Sequence, residues 1–479
     1  MIRLLLFFLI LPFSVVAAQT PPVLYSLPEG VPRAADFRVW INDRELALYE
    51  TVPAAVGVFD FAGEVQVRIE TIRDVKWVDI RPKSLGIEPQ YGGRSISFTV
   101  RKPSQLSVEL NGESKRVLSL FANAPETAPP AGANVRHFKA GAVHEAGTLV
   151  LKDGEQVYIE GGAVVRGRIE ARNAKKVRVS GRGILDGTQL EKGMNMILLD
   201  YVEDAALEGI VLVGSKTWTV KTFFCRRLSI DNLKTVNWDF GSDGVDLVTT
   251  SDVTIRDSFI RANDDCIVVK AWGGENKYPG PDAPPAPDVS NIRVSGCVFW
   301  NMPWGNALEI GFELRAKTIR DVVFEDSDII HVERGAAFSI HNGDYATVRD
   351  VRFDNIRVED CRHKLIDLAV FLSQYSADRP TDAEDRKKRY IQGAWDGVLW
   401  VYPGEEAAYA KGRGKIQDVT FRNIAIVDGP LPFSIVSGFD AAHPVENVTI
   451  ENLTFHGRRV KSEKAARLFV ERASNVRIR

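Results

Sequence analysis

The sequence predicts an all-β protein, a right-handed parallel β-helix preceded by a small N-terminal β-sandwich. Two observations lead to this fold class. Short segments of alternating apolar and polar residues fill roughly the first quarter of the chain, and a β-rich motif then recurs to the C-terminus, mostly at intervals of 20–30 residues. Alternation with period two indicates strands with one buried face, and self-similarity at a fixed period indicates a repeat architecture.

Residues 1–18 are predicted to be a signal peptide. Arg3 precedes a mostly apolar run from Leu4 to Val16, which is too short to span a bilayer comfortably as a helix. Small residues up to Ala18 end the run, as they do before a signal-peptidase cut. We therefore expect cleavage before Gln19 and a protein that is periplasmic or secreted. A buried N-terminal strand or helix is the alternative.

Residues 19–122 are predicted to form the β-sandwich, and residues 123–134 a linker. The alternating segments include 64–70 and 95–100, and Gly, Pro and Asn residues separate such segments. This pattern is typical of antiparallel strands that bury one face. The first ten residues of the linker hold three prolines and three alanines, a composition that favours an irregular connection.

Residues 135–479 are predicted to form the β-helix. The repeated motif is apolar, any residue, apolar, then polar or Gly, and many of its apolar positions are β-branched, as at Val253 and Ile292. Two long gaps contain inserts, at 272–288 and 372–413; the second is highly charged, and we expect a solvated loop or short helix there. No repeat has room for a sustained helical pattern, so each coil is expected to pair with the next around a continuous core. The motif begins at Val157, Val177, Ala205, Leu228, Val253, Ile292, Val322, Val351, Val419, Val448 and Val476.

An array of ordinary β-sandwiches is the alternative fold, but sandwiches place turns about every 8–12 residues without a longer period.

The chain has 61 basic and 63 acidic residues and a net charge of −2, which gives no electrostatic reason to expect a nucleic acid or an anionic membrane as partner. We expect a monomer without membrane insertion. The spacing of the four cysteines fits no zinc site, so no metal or cofactor is predicted, and a disulfide between Cys266 and Cys297 stays open.

Asn and Asp recur near the repeated motif, where they suit the corners between strands. The segment from Trp238 to Glu313 departs from this pattern and is rich in acidic and aromatic residues. Asp264 lies 21 residues after Asp243, close to one coil period, and Asp265 follows directly. Because residues one coil apart lie side by side in a solenoid, we expect the three carboxylates to meet on one surface. Crowded carboxylates repel and shift one another's pKa values, so one can remain an acid while another is a base, as glycosidic bond cleavage requires.

The strings Ser-Asp-Gly-Val-Asp-Leu (242–247) and Asn-Asp-Asp-Cys-Ile-Val-Val-Lys (263–270) resemble the polygalacturonase clan of β-helical glycoside hydrolases, and the sequence is also similar to the dextranase–isopullulanase family. The resemblance covers about residues 135–460. It implies hydrolysis with inversion, in which Asp264 donates the proton while Asp243 and Asp265 hold and activate water. Asp246 matches an acidic position that either supports the structure or contacts the substrate.

Two family motifs are changed in this sequence. The family's Gly-His-Gly aligns with Gly305-Asn306-Ala307, which lacks the histidine, and its Arg-Ile-Lys aligns with Ser339-Ile340-His341, which lacks both cations. Arg and Lys bind carboxylates by charge-assisted hydrogen bonds, and Ser or a neutral His does not replace them. We therefore expect a neutral glycan, or one other than homogalacturonan, as the substrate.

Seven further residues are predicted to bind the substrate. The tryptophans would offer apolar faces to sugar rings, and the polar side chains would hydrogen-bond hydroxyl groups. Each also has an ordinary structural reading: core for the tryptophans, a corner residue for Asn306, charge balance for Lys270. The predicted substrate-binding residues are Asp246, Lys270, Trp272, Trp304, Asn306, Glu309 and His341.

Two other functions remain open from the sequence. A polysaccharide lyase on the same scaffold would use the aspartates as a Ca²⁺ cage, with an Arg or Lys as base. A non-catalytic glycan-binding solenoid is the third interpretation, because a fold does not by itself fix a function.

Overall fold

The computed structural model describes residues 20–126, 129–274, 277, 283–391 and 397–479. It confirms the predicted fold class: two small N-terminal sheets precede a 31-stranded sheet wound into a right-handed parallel β-helix. The predicted signal peptide lies outside the described residues. Within the described residues, no helix has the length and apolar character needed to cross a membrane.

The N-terminal region is a sandwich of two sheets. One has the strand order β1-β5-β11-β10-β7 with β4 beside β5, and the other has the order β3-β2-β6-β9-β8. Alternate residues of each strand fill the space between the sheets, as Val65, Val67 and Ile69 do in β6. The strands are β1 (Val23–Leu24), β2 (Phe37–Ile41), β3 (Arg44–Leu46), β4 (Leu48–Glu50), β5 (Ala54–Asp60), β6 (Val65–Thr71), β7 (Val78–Arg81), β8 (Gln90–Gly92), β9 (Ser95–Val100), β10 (Ser104–Leu110) and β11 (Val117–Asn123).

The strands of the β-helix follow from Val135 to Ile478. They are β12 (Val135–Phe138), β13 (Val143–Leu151), β14 (Gln156–Ile159), β15 (Val164–Arg172), β16 (Arg178–Gly181), β17 (Ile184–Asp186), β18 (Ile197–Asp200), β19 (Ala206–Glu208), β20 (Val211–Val213), β21 (Val220–Phe223), β22 (Arg226–Asp231), β23 (Lys234–Val236), β24 (Val245–Val248), β25 (Ser251–Arg256), β26 (Phe259–Ala262), β27 (Ile267–Ala271), β28 (Val289–Ser295), β29 (Val298–Asn301), β30 (Leu308–Leu314), β31 (Thr318–Glu325), β32 (Asp328–Val332), β33 (Ala336–Asn342), β34 (Thr347–Cys361), β35 (Lys364–Val370), β36 (Lys415–Ile426), β37 (Phe433–Ser437), β38 (Val445–Glu451), β39 (Thr454–Phe455), β40 (Arg458–Arg459), β41 (Leu468–Glu471) and β42 (Ala473–Ile478).

These strands stack into three faces. The first face runs through β22, β25, β28 and β31, the second through β20, β23, β26 and β29, and the third through β18, β21, β24, β27, β30, β33 and β35. Inward positions repeat in register: on the third face Val220, Val245, Ile267 and Leu308 lie directly above one another and are fully buried. Burying such a side chain stabilises the fold by roughly 1.5–3 kcal/mol, which explains the recurring apolar motif.

Asn and Asp residues with positive φ occupy one series of corners, which we call the corner ladder. Their φ values lie between 55° and 60°, a left-handed conformation that Asn and Asp tolerate better than other residues with a side chain. Their side chains are hydrogen-bonded along the stack, for example from Asn447 to Asp418 at 2.9 Å and from Asn475 to Asn447 at 2.7 Å. The corner ladder consists of Asp252, Asn291, Asp321, Asp350, Asp418, Asn447 and Asn475.

The sandwich packs against the second face. Val56 and Phe121 of the sandwich share an apolar cluster with Val211 and Phe259, and the rings of Phe121 and Phe259 are 5.3 Å apart. Arg81 adds a buried ion pair to Glu359 and one of 3.1 Å to Asp428. The second face is therefore a docking face, and the acidic residues described next lie on the third.

The insert at 372–413 contains two short helices, α1 (Ala383–Arg389) and α2 (Glu406–Ala410). Asp382 caps α1 by accepting hydrogen bonds from the backbone of Glu384 and Asp385, and Arg389 pairs with Glu405 at 2.6 Å. All four cysteines are buried free thiols, so Cys266 and Cys297 form no disulfide.

Candidate active site

Three aspartates meet at the start of two neighbouring third-face strands. Asp243 precedes β24, and Asp264 and Asp265 precede β27. One oxygen of each carboxylate lies within 4.8 Å of one oxygen of each of the others. Asp243 and Asp265 are buried, while Asp264 is half-buried. The structure thus brings together the three residues that the coil period placed side by side, with Asp264 the most open of them.

Glycines at the corners make this close approach possible. A Cβ on Gly244 would lie 2.3 Å from the carbonyl oxygen of Cys266, and a Cβ on Gly305 would lie 2.3 Å from Oδ1 of Asp264. Gly305 also has a φ of 59°, which a larger side chain would disfavour. The turn that carries Trp304 can therefore lie directly against Asp264.

The hydrogen bonds leave much of the acidic cluster unpaired. Oδ1 of Asp264 accepts the backbone N–H of Asp265 at 3.1 Å, and Oδ1 of Asp265 accepts the backbone N–H of Asn306 at 2.7 Å. In the described part of the chain, Oδ1 of Asp243 and both side-chain oxygens of the neighbouring Asp246 are buried without a partner. Burying unpaired polar atoms costs free energy, unless one of these two carboxyls keeps its proton and donates it to the other.

Burial is the main cause of the pKa shifts in the cluster. It raises the pKa values of Asp243 and Asp265 well above the ordinary range, with repulsion from neighbouring carboxylates adding to the effect. Burial also raises the pKa of Asp264, and it raises that of Asp246 to about 7. Because the carboxyls titrate together, the cluster keeps protons at a pH where isolated aspartates are fully ionised. It can both donate and accept a proton.

Lys270 supplies a buried positive charge beside these acids. Its side chain is 5% exposed, and Nζ lies 4.0 Å from Oδ2 of Asp265 and 3.5 Å from Oε2 of Glu313. Nζ also donates a hydrogen bond to the carbonyl of Gly311 at 3.1 Å. Burial opposes ionisation of Glu313, but Lys277 and Lys270 outweigh it and lower the pKa of Glu313 to about 2. The predicted substrate contact of Lys270 therefore competes with fixed partners in the protein.

Aromatic residues form one rim of the site. Trp304 is half-buried and meets the exposed Phe240 edge to face, with ring centroids 5.2 Å apart. The guanidinium of Arg334 lies 5.3 Å from the Trp304 ring. Asn301 donates hydrogen bonds to the carbonyls of both Asp264 and Trp304, at 2.8 and 2.7 Å. This contact fixes the aromatic rim next to the least buried aspartate, as a sugar platform requires.

Three predicted substrate contacts lie beneath the surface instead. Asn306 is fully buried, donates to Glu309 at 3.0 Å and accepts the backbone N–H of Ala336 at 2.8 Å. His341 lies between Glu309 at 3.2 Å and Asp367 at 3.0 Å. Direct substrate contact by Asn306, Glu309 and His341 does not fit this burial, nor does contact by Asp246, which is fully buried. The alternation of Glu309 with Leu308 and Ile310 indicates that Glu309 points outward from the coil, but it does not predict the cover above the strand, which includes Phe312 stacked on His341 at 5.0 Å.

Trp272 is also buried, with 3% of its surface exposed. It packs against Phe223 and Trp218, at centroid distances of 6.1 and 6.3 Å. Sequence reasoning missed Trp218, which occupies the corner one coil before Asp243. It also missed Lys277, which lies in a proline-rich insert without periodicity and pairs with Glu313 at 2.8 Å. The position of Trp218 in the repeat could have predicted that it lies near Asp243. No feature of the sequence around Lys277 predicts its position.

The aspartates are also the described residues that could hold a metal ion, since three carboxylate oxygens converge. Ca²⁺ prefers six to eight oxygen ligands. Here Lys270 already lies 4.0 Å from one of the carboxylates. The ammonium group already supplies positive charge beside the acidic cluster.

The fold and the acidic cluster define a class of β-helical proteins that gather carboxylates on one face of the helix. Residues 148–385 match glycosyl hydrolases family 28, and this part of the chain is a domain of that family.

Curated relatives match over limited segments. An exopolygalacturonase of Zea mays is 23% identical over 179 residues, covering 36% of this chain and 39% of that protein. A probable endopolygalacturonase D of Emericella nidulans is 23% identical over 192 residues, covering 39% of this chain and 33% of that protein. The chain thus matches well under half the length of these relatives.

Solved structures show the same fold over more of the chain. Dex49A from Penicillium minioluteum has a TM-score of 0.62 at 15% identity and covers 92% of both chains. The polygalacturonase from Erwinia carotovora ssp. carotovora has a TM-score of 0.50 at 16% identity and covers 75% of this chain and 89% of its own. Since the first match includes nearly the whole chain, it extends over the sandwich as well as the β-helix.

Proposed function

We propose that the protein is an exported glycoside hydrolase that cleaves a polysaccharide or oligosaccharide with inversion. The observation that carries the proposal is the meeting of Asp243, Asp264 and Asp265 within 4.8 Å of one another, with Asp264 open to an aromatic rim. Glycosidic bond hydrolysis needs an acid and a base on carboxyl groups. The family 28 domain that contains these residues supports the same chemistry.

Asp264 is assigned as the acid because it is the half-buried member of the cluster and lies beside Trp304. A leaving oxygen on a sugar held at the rim reaches Asp264 before it reaches the deeper carboxyls. Its raised pKa, caused by burial, keeps the proton available for transfer.

Asp243 and Asp265 are assigned to hold and activate the water molecule that attacks the sugar. Oxygens of the two carboxylates lie within 4.8 Å of each other, and one water molecule with hydrogen bonds of about 2.8 Å can bridge oxygens up to about 5.6 Å apart. Lys270 favours ionisation of Asp265, because its ammonium is 4.0 Å away. Inverting enzymes commonly separate their carboxyl groups by about 6.5–9.5 Å and retaining enzymes by about 5–5.5 Å, so inversion rests on the family resemblance and not on this spacing.

The substrate at the cleavage point is a neutral sugar or a unit other than that of homogalacturonan. Ser339 and His341 occupy the positions of the family's two carboxylate-binding cations, and His341 is held between Glu309 and Asp367. Lyase chemistry is less well supported. Lys270, the nearest buried lysine, has its pKa raised by Glu313 and Asp265 against the effect of burial, so it stays protonated and is unsuited to act as a base.

A glycan panel tests the proposal. Wild-type protein is incubated with neutral and acidic polysaccharides, new reducing ends are counted, and the first-formed anomer is read by proton NMR. We expect release of reducing ends from at least one glycan, with the anomer opposite to that of the cleaved linkage. Products with an unsaturated sugar, or binding without any release, would overturn the hydrolase proposal; the retained anomer would overturn inversion alone.

A further inference from the structure

A second concave region lies on the third face, on the N-terminal side of the aspartates. We call it the cationic groove, and its volume is about 660 Å³. That volume falls within the roughly 300–1,000 Å³ typical of ligand sites. Its lining includes Tyr201, Trp218, Lys221, Phe223, Trp272 and Lys277.

One wall of the groove is aromatic. Trp218 and Trp272 have ring centroids 6.3 Å apart, and Phe223 lies 6.1 Å from Trp272. Tyr201, which is 44% exposed, meets Phe223 edge to face at 5.6 Å. Asn195 holds the backbone of Trp218 through a hydrogen bond of 2.9 Å. The half-buried Trp218 and the exposed Tyr201 offer the accessible ring faces, and the buried Phe223 and Trp272 hold them in place, as a sugar platform requires.

The remaining lining carries four cations, Arg168, Arg172, Lys221 and Lys277. Three of them have carboxylate partners: Arg168 pairs with Glu170 at 2.8 Å, Arg172 with Glu170 and Asp200, and Lys277 with Glu313 at 2.8 Å. Lys221 differs from these three, because within the described residues its side chain forms no ion pair and its Nζ lies 5.6 Å from the Phe223 ring. The charge of Lys221 is therefore the one available to an anion that enters the groove.

The cationic groove lies next to the acidic cluster along the third face. Lys221 of β21 lies in register with the buried Asp246 of β24, one coil away. Nζ of Lys277 lies 5.0 Å from the Trp218 ring, and Nζ of Lys270 lies 5.5 Å from the same ring. A glycan chain that places one sugar at Asp264 can therefore continue along the third face into the groove.

We propose that the cationic groove is a specificity subsite that binds an anionic substituent, a carboxylate or a sulfate ester, on a sugar next to the one that is cleaved. Lys221 donates to the anion, and Trp218 and Tyr201 bind the ring that carries it. This inference rests on the proposed function and specifies its substrate: a glycan that is uncharged on the His341 side of the aspartates and anionic on the Lys221 side. Such an asymmetric substrate accounts both for the loss of the family's two cations at Ser339 and His341 and for the presence of Lys221 on the other side of the aspartates.

Binding without turnover tests the inference. All measurements use the Asp264→Asn protein, so that hydrolysis cannot consume the ligand. Isothermal titration compares two matched pairs of probes: dextran sulfate with dextran, and polygalacturonate with its fully methyl-esterified form. We expect each anionic probe that fits the groove to bind more tightly than its neutral partner. Sulfate binding, carboxylate binding or both would support the proposal and identify the source of the anion.

Variants of Lys221 locate the anion. Lys221→Gln should weaken binding of the anionic probe roughly tenfold, the expected effect of losing a hydrogen bond to a charged group, and should leave binding of the neutral partner unchanged. Lys221→Arg should retain most of the affinity, which also shows that the position tolerates replacement. The matched control is Lys317→Gln, which removes an exposed lysine that does not line the groove.

Equal losses for Lys221→Gln and Lys317→Gln would show that the anions bind the surface non-specifically and would overturn the subsite. Equal affinity for charged and neutral probes, or no binding by any of the four, would overturn it as well. None of these outcomes depends on catalysis, so failure of the subsite can be distinguished from failure of the hydrolase proposal.

Discussion

The corner ladder and the acidic cluster are built from similar side chains but differ in burial and in hydrogen bonding. In the corner ladder, residues such as Asn447 are exposed, adopt positive φ and exchange hydrogen bonds with the coils above and below. In the cluster, Asp243 and Asp246 are buried and retain unpaired oxygens. Repetition of Asn and Asp at coil intervals therefore does not by itself indicate function. Burial without partners is what distinguishes the chemical site from the structural one.

The largest expected difference concerns turnover. Asp264→Asn should lower the hydrolysis rate about 10²–10⁴-fold, the range attributed to general acid–base catalysis, because the amide cannot deliver a proton to the leaving oxygen. The rate is measured as release of reducing ends from the best glycan of the panel. The fold should be unchanged, as judged by circular dichroism.

Asp252→Asn is the matched control for that variant. It makes the same chemical change in the corner ladder, where Asn also tolerates the observed φ of 59°. Turnover should stay near the wild-type rate. Similar losses in the two variants would mean that the cluster has no special chemical role.

The sequence predicted the cluster because the coil period determines which residues of neighbouring coils lie side by side. Val245 of β24 pairs with Ile267 of β27, a register of 22 residues that places Asp243 beside Asp265, and Asp264 directly precedes Asp265. The roles of Asn306 and His341 were not predictable in the same way. His341 is covered by Phe312, in β30 where the pairing with β27 shifts register, and by Phe371, which directly follows β35. The regular coil period does not predict such local departures from it.

Variants of Asn447 test what the corner ladder contributes to stability. Asn447→Ala should lower the free energy of unfolding by about 1–2 kcal/mol from left-handed backbone strain, plus a smaller loss from two exposed hydrogen bonds. Asn447→Gly should lose the hydrogen bonds alone, since glycine adopts positive φ without strain. Urea titration followed by circular dichroism measures both.

Turnover should be unaffected by either Asn447 variant. A glycine variant as destabilised as the alanine variant would show that hydrogen bonding, and not backbone conformation, selects Asn at the corner ladder.

The smallest expected effect is a pH-dependent gain in stability from Asp246→Asn. Burial raises the pKa of Asp246 to about 7 in the folded protein, against about 3.9 in an unfolded chain. The folded state therefore favours the protonated carboxyl, and this contribution to stability is present below about pH 4 and is lost as the pH rises towards 7. The neutral amide avoids that loss.

Melting temperatures of wild type and Asp246→Asn at pH 4 and pH 8 measure the effect. The two proteins should be close at pH 4, and the variant should be the more stable of the two at pH 8, where the wild type buries an ionised carboxylate. A variant that is less stable at pH 8 would show that ionised Asp246 is stabilised by its surroundings.

The central claim is that the aspartates deliver water to a glycosidic bond, and hydrolysis in heavy-oxygen water tests it most directly. Mass spectrometry of the products should show one heavy oxygen at each new reducing end in the wild-type reaction, and Asp243→Asn, which removes a carboxylate assigned to the water, should abolish this incorporation. Cleavage products without heavy oxygen that carry an unsaturated sugar, or incorporation at the wild-type rate in Asp243→Asn, would contradict the account.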